Sequence, residues 1–210
     1  MSASTHNSYM ARKRSRANTE LRFQDAVNEL ITESGCAQLG INLLAQIAGS
    51  DKVLIYRYFG GLDGLLQRVA ESRLWLPTAD DLLSDLAGQP KHILAKIADL
   101  VTQHVRTDAA THQLCLWRHA VKNPLTEQYT SEWKCLWQDL TEKLGSGLSY
   151  DERQNWAKAC ALLALIIESD LMDEAVDLST LDSLTEILAP IDVQEAEDAY
   201  QEERLPTNLL

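Results

Sequence analysis

Long apolar runs are missing from this 210-residue sequence. The longest, from Ala159 to Ile167, is too short to span a bilayer, and no apolar stretch follows the opening MSASTHNSYM. We therefore expect a cytoplasmic protein with no membrane partner. Glycine (nine residues) and proline (five residues) are scarce and fall mostly between periodic segments, which favours helices joined by short loops.

Disulfide and catalytic signatures are also missing. The four cysteines (Cys36, Cys115, Cys135 and Cys160) lie in apolar, helical segments without a CxxC pair, so we interpret them as reduced thiols. Nothing resembles a nucleophile elbow, a phosphate-binding glycine loop or a zinc helix. The sequence therefore predicts no enzyme, no cofactor and no metal. A small all-helical enzyme stays an alternative, with Cys115 and His119 as its best pair.

Positive charge is scarce overall, but it is unevenly distributed. The net charge is -12, yet residues 1 to 78 hold nine Lys/Arg and seven Asp/Glu, a net of +2, so the remainder carries -14. This asymmetry predicts two parts with different partners, the first of which can approach a polyanion.

What the chain does have is helical periodicity, and we find neither strand alternation nor an internal repeat. The sequence predicts an all-α protein with helices near 19–34, 41–48, 51–58, from 62, 80–87, from Pro90, 108–122, 125–144, 150–172 and 180–189. We expect four parts: a flexible basic arm (1–18), a first helical domain (19–76), a larger helical domain (77–190) and an acidic tail (191–210).

The segment LLAQIAGSDKVLIYRYFGG predicts two short helices that cross at a tight turn. Ala45 is small enough for the helices to touch, and Gly49 can adopt a positive φ. Leu44, Ala48 and Ile55 would fill the crossing. Two such helices bury too little surface alone, so the neighbouring helices must supply the rest of the core.

A stretch of about 50 residues in the N-terminal part of the chain resembles bacterial regulators of the TetR/AcrR type. This resemblance implies a DNA-binding domain with a helix-turn-helix at 19–76 and a helical effector-binding and dimerisation domain at 77–190. The matching residues are Gly35, Ile41, Ala45, Ala48, Gly49, Lys52, Ile55, Tyr56, Phe59, Leu65 and Leu66. The sequence departs from the common pattern at Asp51, which can cap a helix but repels phosphate, and at Leu62, where many relatives place a lysine.

This resemblance implies that the second short helix enters the major groove of double-stranded DNA. Lys52 and Arg57 supply charge, Tyr56 and Tyr58 supply hydroxyl groups, and Val53 and Leu54 would meet thymine methyls. We interpret Phe59 as a core residue. The complete candidate DNA-binding set is Arg12, Arg14, Arg16, Asn42, Lys52, Val53, Leu54, Tyr56, Arg57, Tyr58 and Gly61.

The resemblance also implies a homodimer and an unknown small-molecule effector that act through the C-terminal domain. The helices 125–144 and 150–172 would pair with their dimer mates in a four-helix bundle; in the alternative, both faces are buried within one subunit. The candidate interface residues are Leu136, Leu140, Trp156, Ala157, Ala161 and Ala164.

The effector pocket is the least defined prediction. Its candidate residues are Val101, His104, Cys115, Trp117, His119, Trp133 and Trp137. His112, Cys115 and His119 at helical spacing, with Cys135 as a fourth ligand, leave open a metal- or redox-responsive regulator. The leading hypothesis is a ligand-responsive transcriptional repressor that binds palindromic operator DNA as a homodimer.

Overall fold

A computed structural model describes residues 3–86, 93–147 and 149–172, with the backbone alone for residues 3–14. The predicted helix 180–189, the helix start at Pro90 and the acidic tail 191–210 lie outside this range. Within it, all regular structure is helical, which confirms the all-α prediction. The helices are α1 (Ala3–Ser34), α2 (Ile41–Ile47), α3 (Val53–Phe59), α4 (Leu62–Ala70), α5 (Ala79–Asp85), α6 (Ile93–Thr107), α7 (Ala109–Trp117), α8 (Pro124–Leu144) and α9 (Tyr150–Met172).

The start of α1 differs from the prediction. The helix begins at Ala3, whereas the sequence predicts a start near residue 19 behind an irregular arm. No glycine or proline interrupts residues 3 to 34, and the segment ARKRSRA at 11–17 is rich in alanine and arginine, which favour helix. The missing apolar stripe in this segment therefore does not mark a break in the helix.

The chain divides into two compact units, and the division does not follow a single boundary. The N-terminal unit comprises Met1–Leu74 and Ala109–Thr130, and the C-terminal unit comprises Trp75–Asp108 and Ser131–Leu210. The break at Leu74 lies close to the predicted boundary at 76. The inclusion of α7 in the N-terminal unit was not predicted from the sequence.

The core of the N-terminal unit is built on α1, which packs against α2, α4 and α7. Its predicted apolar stripe is buried, and the side chains of Phe23, Val27 and Ile31 are fully inaccessible. Leu44 of α2 and Ile55 of α3 are fully buried, and Ala45 and Ala48 are buried as well. Phe59 meets Phe23 edge to face at 6.1 Å, in agreement with its interpretation as a core residue.

The helix α7 belongs to this unit because Trp117, its last residue, packs against the end of α1. Its indole lies over Gly35, the residue that ends α1 with a φ of 72°. The indole Nε1 donates to Gln113 Oε1 at 3.1 Å, which holds the ring in place. Gly35 therefore meets two requirements, a left-handed backbone and space for a neighbouring ring.

The C-terminal unit packs α6 against α9, with Ile97, Val101 and Val105 of α6 buried. Arg106 Nη2 donates to Asp170 Oδ2 at 3.0 Å, and this carboxylate is almost inaccessible to solvent. At the start of the unit, the Glu132 carboxylate accepts the backbone N–H groups of Trp75 and Leu76 at 2.7 and 3.1 Å.

Side-chain caps determine where several helices begin. The carboxylate of Asp81 accepts hydrogen bonds from the hydroxyl and the backbone N–H of Thr78 before α5, and these two bonds lower the pKa of Asp81. Before α9, Glu152 Oε2 accepts the backbone N–H of Ser149 at 2.9 Å. Asn123 caps α8 through its Oδ1, which accepts two backbone N–H groups.

Candidate nucleic-acid interface

The short helix α3 presents two different faces. Ile55 is fully buried, whereas Val53 and Tyr56 are 59% and 58% exposed and Arg57 is exposed as well. Leu54 and Tyr58 lie half-buried at the edges. The outward face therefore carries an aliphatic group, a phenol and a guanidinium within about one helical turn. These groups suit contacts with thymine methyls, hydrogen-bonding base edges and phosphates.

The turn between α2 and α3 has the geometry that the sequence predicts. Gly49 has a φ of 55°, and Asp51 Oδ1 accepts the backbone N–H of Val53 at 2.9 Å. Lys52 Nζ donates to Asn42 Oδ1 at 3.2 Å. Asn42 and Lys52, two of the predicted DNA-binding residues, are thus brought together from either side of the turn.

Arg16 connects α1 with α3. Its Nε donates to Glu20 Oε1 at 2.6 Å, and its guanidinium carbon lies 4.9 Å from the centre of the Tyr58 ring. This cation–π contact brings two predicted DNA-binding residues together. Arg12 and Arg14 lie in α1, where the backbone alone is described.

The N-terminus of α4 follows α3 after two glycines. Gly61 directly precedes α4, and Leu62 is half-buried as the first residue of the helix. A phosphate contact at the Gly61 amide stays a prediction. Leu62 adds no positive charge to the surface, so the charge of the interface comes from α1, Lys52 and Arg57.

Comparison with known proteins was made at the level of both sequence and fold. No family model and no curated protein matches the chain. Two crystal structures of NalD, described as the secondary repressor of the MexAB-OprM multidrug efflux pump in Pseudomonas aeruginosa, match it with TM-scores of 0.54 and 0.51. Their identities are 19% and 20%; the matches cover 84% and 83% of this chain and 96% of each NalD chain. The chain has the fold of TetR-type regulators. A TetR regulator from Rhodococcus sp. RHA1 also matches, with a TM-score of 0.44 and 17% identity over 94% of this chain and 99% of that chain.

Three predicted effector residues belong to the N-terminal unit. Cys115 is buried, Trp117 lies over Gly35, and His119 is exposed. Because α7 ends at Trp117, His119 follows the helix rather than continuing it, and the helical spacing assumed for Cys115 and His119 does not hold. Trp117 thus has a packing role inside the unit.

The other four predicted effector residues belong to the C-terminal unit. Val101, Trp133 and Trp137 are buried, and the two tryptophan rings meet edge to face at 5.8 Å. His104 lies in a groove of about 390 Å³ and has its Nε2 within 3.0 Å of the Trp75 carbonyl oxygen. The residues that line this α5–α6 groove are Pro77, Leu82, Asp85, Leu100, Gln103, His104, Thr107 and Asp108.

The alternative of a metal or redox sensor gains no geometric support. Within the described residues, no three His, Cys, Asp or Glu side chains are placed to share a metal ion. Burial raises the pKa of Cys36 to about 12 and that of Cys160 to about 11, which makes both thiols poor nucleophiles. Cys135 is exposed on α8.

The described helices also include no segment that is long and apolar enough to cross a bilayer.

The predicted interface residues of α8 and α9 include both buried and exposed side chains. Leu136, Leu140 and Trp156 are buried within the C-terminal unit, so these three do not form an exposed surface. Ala164 is also buried, Ala157 is half-buried, and Ala161 is exposed. The correction has a simple cause: α9 has apolar residues on every side, so its sequence does not reveal which side packs inward.

Two features of the molecule were not predicted from the sequence. Leu162 and Leu165 of α9 are 49% and 62% exposed, and the uninterrupted run ALLALII was the available signal. The other feature is a contact of Arg22 with the turn between α2 and α3. No sequence signal marks it, because Arg22 is an ordinary polar-face residue of α1.

Proposed function

We propose that this chain is a ligand-responsive transcriptional repressor that binds operator DNA as a homodimer. The observation that carries the proposal is that α3 has one buried side and one exposed side. Ile55 is buried, whereas Val53, Tyr56 and Arg57 are exposed. In this arrangement α3 enters the major groove and its outward side chains meet base edges. Supporting charge comes from Lys52 beside α3 and Arg16 on α1.

The acidic composition does not oppose this function. The local net charge of residues 1 to 78 is +2, and the negative charge belongs to the rest of the chain. The screening length at physiological salt is about 8 Å, so only nearby charges affect phosphate contacts strongly. We therefore expect moderate affinity that falls as the salt concentration rises.

Repression rests on the resemblance in fold to NalD, whose description as a repressor of a multidrug efflux pump concerns that protein. Ligand response rests on the sequence resemblance to TetR/AcrR-type regulators. We extend to this chain the role of a repressor. We place its effector in the C-terminal unit, where the α5–α6 groove is wide enough for a small molecule. An effector in this site releases DNA only if it binds the DNA-free arrangement more tightly than the DNA-bound one.

The DNA-binding proposal is tested by selecting duplexes from a random pool with the purified protein and measuring fluorescence anisotropy across salt concentrations. Arg57→Ala should weaken binding to the selected duplex by about 1–3 kcal/mol, because a guanidinium on the outward face of α3 is lost. Arg68→Ala is the matched control, since Arg68 is exposed on α4 and lies outside the candidate interface. A wild-type protein with no affinity for any duplex at low salt would remove the proposal.

The homodimer is proposed to form through the exposed apolar face of α9. Leu162, Leu165 and Met172 are 49%, 62% and 43% exposed, and Ala161 lies beside them. These positions recur at helical spacing and form a stripe on one side of α9. An exposed apolar stripe of this kind is typical of a contact with a second copy, because association removes it from water.

Oligomeric state provides the test of this interface. We expect wild-type protein to have about twice the 23.5 kDa chain mass in light scattering, and Leu165→Glu to be monomeric at micromolar concentration. The reason is that a partner helix would bury the new carboxylate without a counter-charge. Ser84→Glu on α5 adds the same charge at another exposed position and should remain dimeric. A dimeric Leu165→Glu protein would place the interface elsewhere.

A further inference from the structure

Arg22 lies on α1 but reaches the turn of the helix-turn-helix. Its Nη2 donates to the carbonyl oxygen of Gly49 at 2.7 Å and also to that of Ala48. The two carbonyl groups directly follow α2, where a helix leaves its last acceptors without helical partners. A single guanidinium thus donates to both of these carbonyl groups.

The charge of Arg22 also suits this position. The C-terminal end of a helix carries partial negative charge, so a cation beside the last carbonyl groups is stabilising. Arg22 and the turn are 26 residues apart in the sequence, so the contact fixes the turn against α1 rather than within its own segment. Gly49 allows the close approach, since a Cβ at this residue would lie 3.0 Å from Arg22 Nη2.

We propose that Arg22 is a positioning residue for operator recognition, which holds the α2–α3 turn against α1 so that α3 presents its outward face at a fixed angle. The proposal rests on the DNA-binding function proposed above. Arg22 acts here through the protein backbone and not through a phosphate of its own. Without it, the turn samples other orientations, and the apparent affinity falls with the fraction of molecules that remain competent to bind.

A positioning role and a phosphate contact have different salt signatures. Each lost phosphate contact reduces the slope of log affinity against log salt by about 0.9. A positioning residue leaves this slope unchanged, because the same phosphates are neutralised once the protein is bound. Non-specific binding also depends mainly on charge, so it should not respond to the orientation of α3.

The experiment compares wild type, Arg22→Met and Arg22→Lys on the duplex selected by the wild-type protein and on a scrambled duplex. Methionine keeps a long unbranched stem and removes the guanidinium, whereas lysine keeps the charge. We expect Arg22→Met to weaken operator binding about tenfold with an unchanged salt slope and unchanged binding to the scrambled duplex. Arg22→Lys should recover much of the loss, and the control Arg68→Ala should bind as wild type does.

Hydrogen exchange reports on the turn directly. The amides of Gly49 and Ser50 donate to the carbonyl groups of Gln46 and Ala45, both at 3.0 Å. In Arg22→Met these two amides should exchange faster, while the exchange of the buried part of α1 stays unchanged. Arg68→Ala should leave all of them unchanged.

Four results would overturn the positioning role. A salt slope smaller by about 0.9, with both duplexes bound more weakly, would make Arg22 a phosphate contact. Wild-type affinity in Arg22→Met would remove any role in binding. An unfolded Arg22→Met protein in circular dichroism would make Arg22 a residue of general stability. If wild type itself selects no duplex, the proposed function fails as well, which separates that outcome from the other three.

Discussion

Gly35→Ala is expected to lower the free energy of unfolding of the N-terminal unit by about 2–5 kcal/mol. Gly35 has a φ of 72°, a backbone conformation that disfavours any side chain. In addition, its Cβ would overlap Trp117 Nε1 and lie 3.0 Å from Gln113 Oε1. Either the indole or the end of α1 must shift.

Gly60→Ala separates the cost of a side chain on a left-handed backbone from the cost of the overlap with Trp117. Gly60 has a φ of 80°, but a Cβ there would have no atom within 4 Å, so only the backbone penalty of about 1–2 kcal/mol applies. Urea unfolding of both variants gives the comparison. In a Gly35→Ala background, Trp117→Ala should cost less than it does in wild type, because it removes the overlapping ring. Equal losses in Gly35→Ala and Gly60→Ala would show that Trp117 does not restrict Gly35.

Ile55→Ala is expected to lower the free energy of unfolding by about 2–4 kcal/mol, because it leaves a cavity in the core of the N-terminal unit. Ile55 is fully buried and is the inward anchor of α3. We expect operator binding to fall as well, since α3 loses the contact that holds it in place. Denaturant unfolding and fluorescence anisotropy measure the two effects.

Val53→Ala provides the matched comparison on the same helix. Val53 is 59% exposed, so its truncation should change stability by less than about 0.5 kcal/mol. If Val53 meets a thymine methyl, operator binding should nevertheless weaken. Loss of stability in Val53→Ala, or wild-type stability in Ile55→Ala, would contradict the assignment of the inward and outward faces.

The two units differ in how well local sequence describes them. The helix-turn-helix was predicted almost residue by residue, because its determinants lie within about twenty neighbouring residues. Ala45 permits close approach, Gly49 permits the turn, and the spacing to Ile55 sets the inward face of α3. In the C-terminal unit the boundaries of α8 and α9 were also predicted closely. Their inward faces were not, because both helices carry apolar residues on more than one side.

The sequence was sufficient for the all-helical class and for the register of the α2–α3 pair. Each of these depends on residues that are close together in the chain, where backbone geometry limits the choices. Three-dimensional packing was needed to place α7 over Gly35, to bring Arg22 to the end of α2 and to turn Leu136, Leu140 and Trp156 inward. These contacts join distant segments, and local periodicity cannot select among several apolar or polar faces that are equally able to make them.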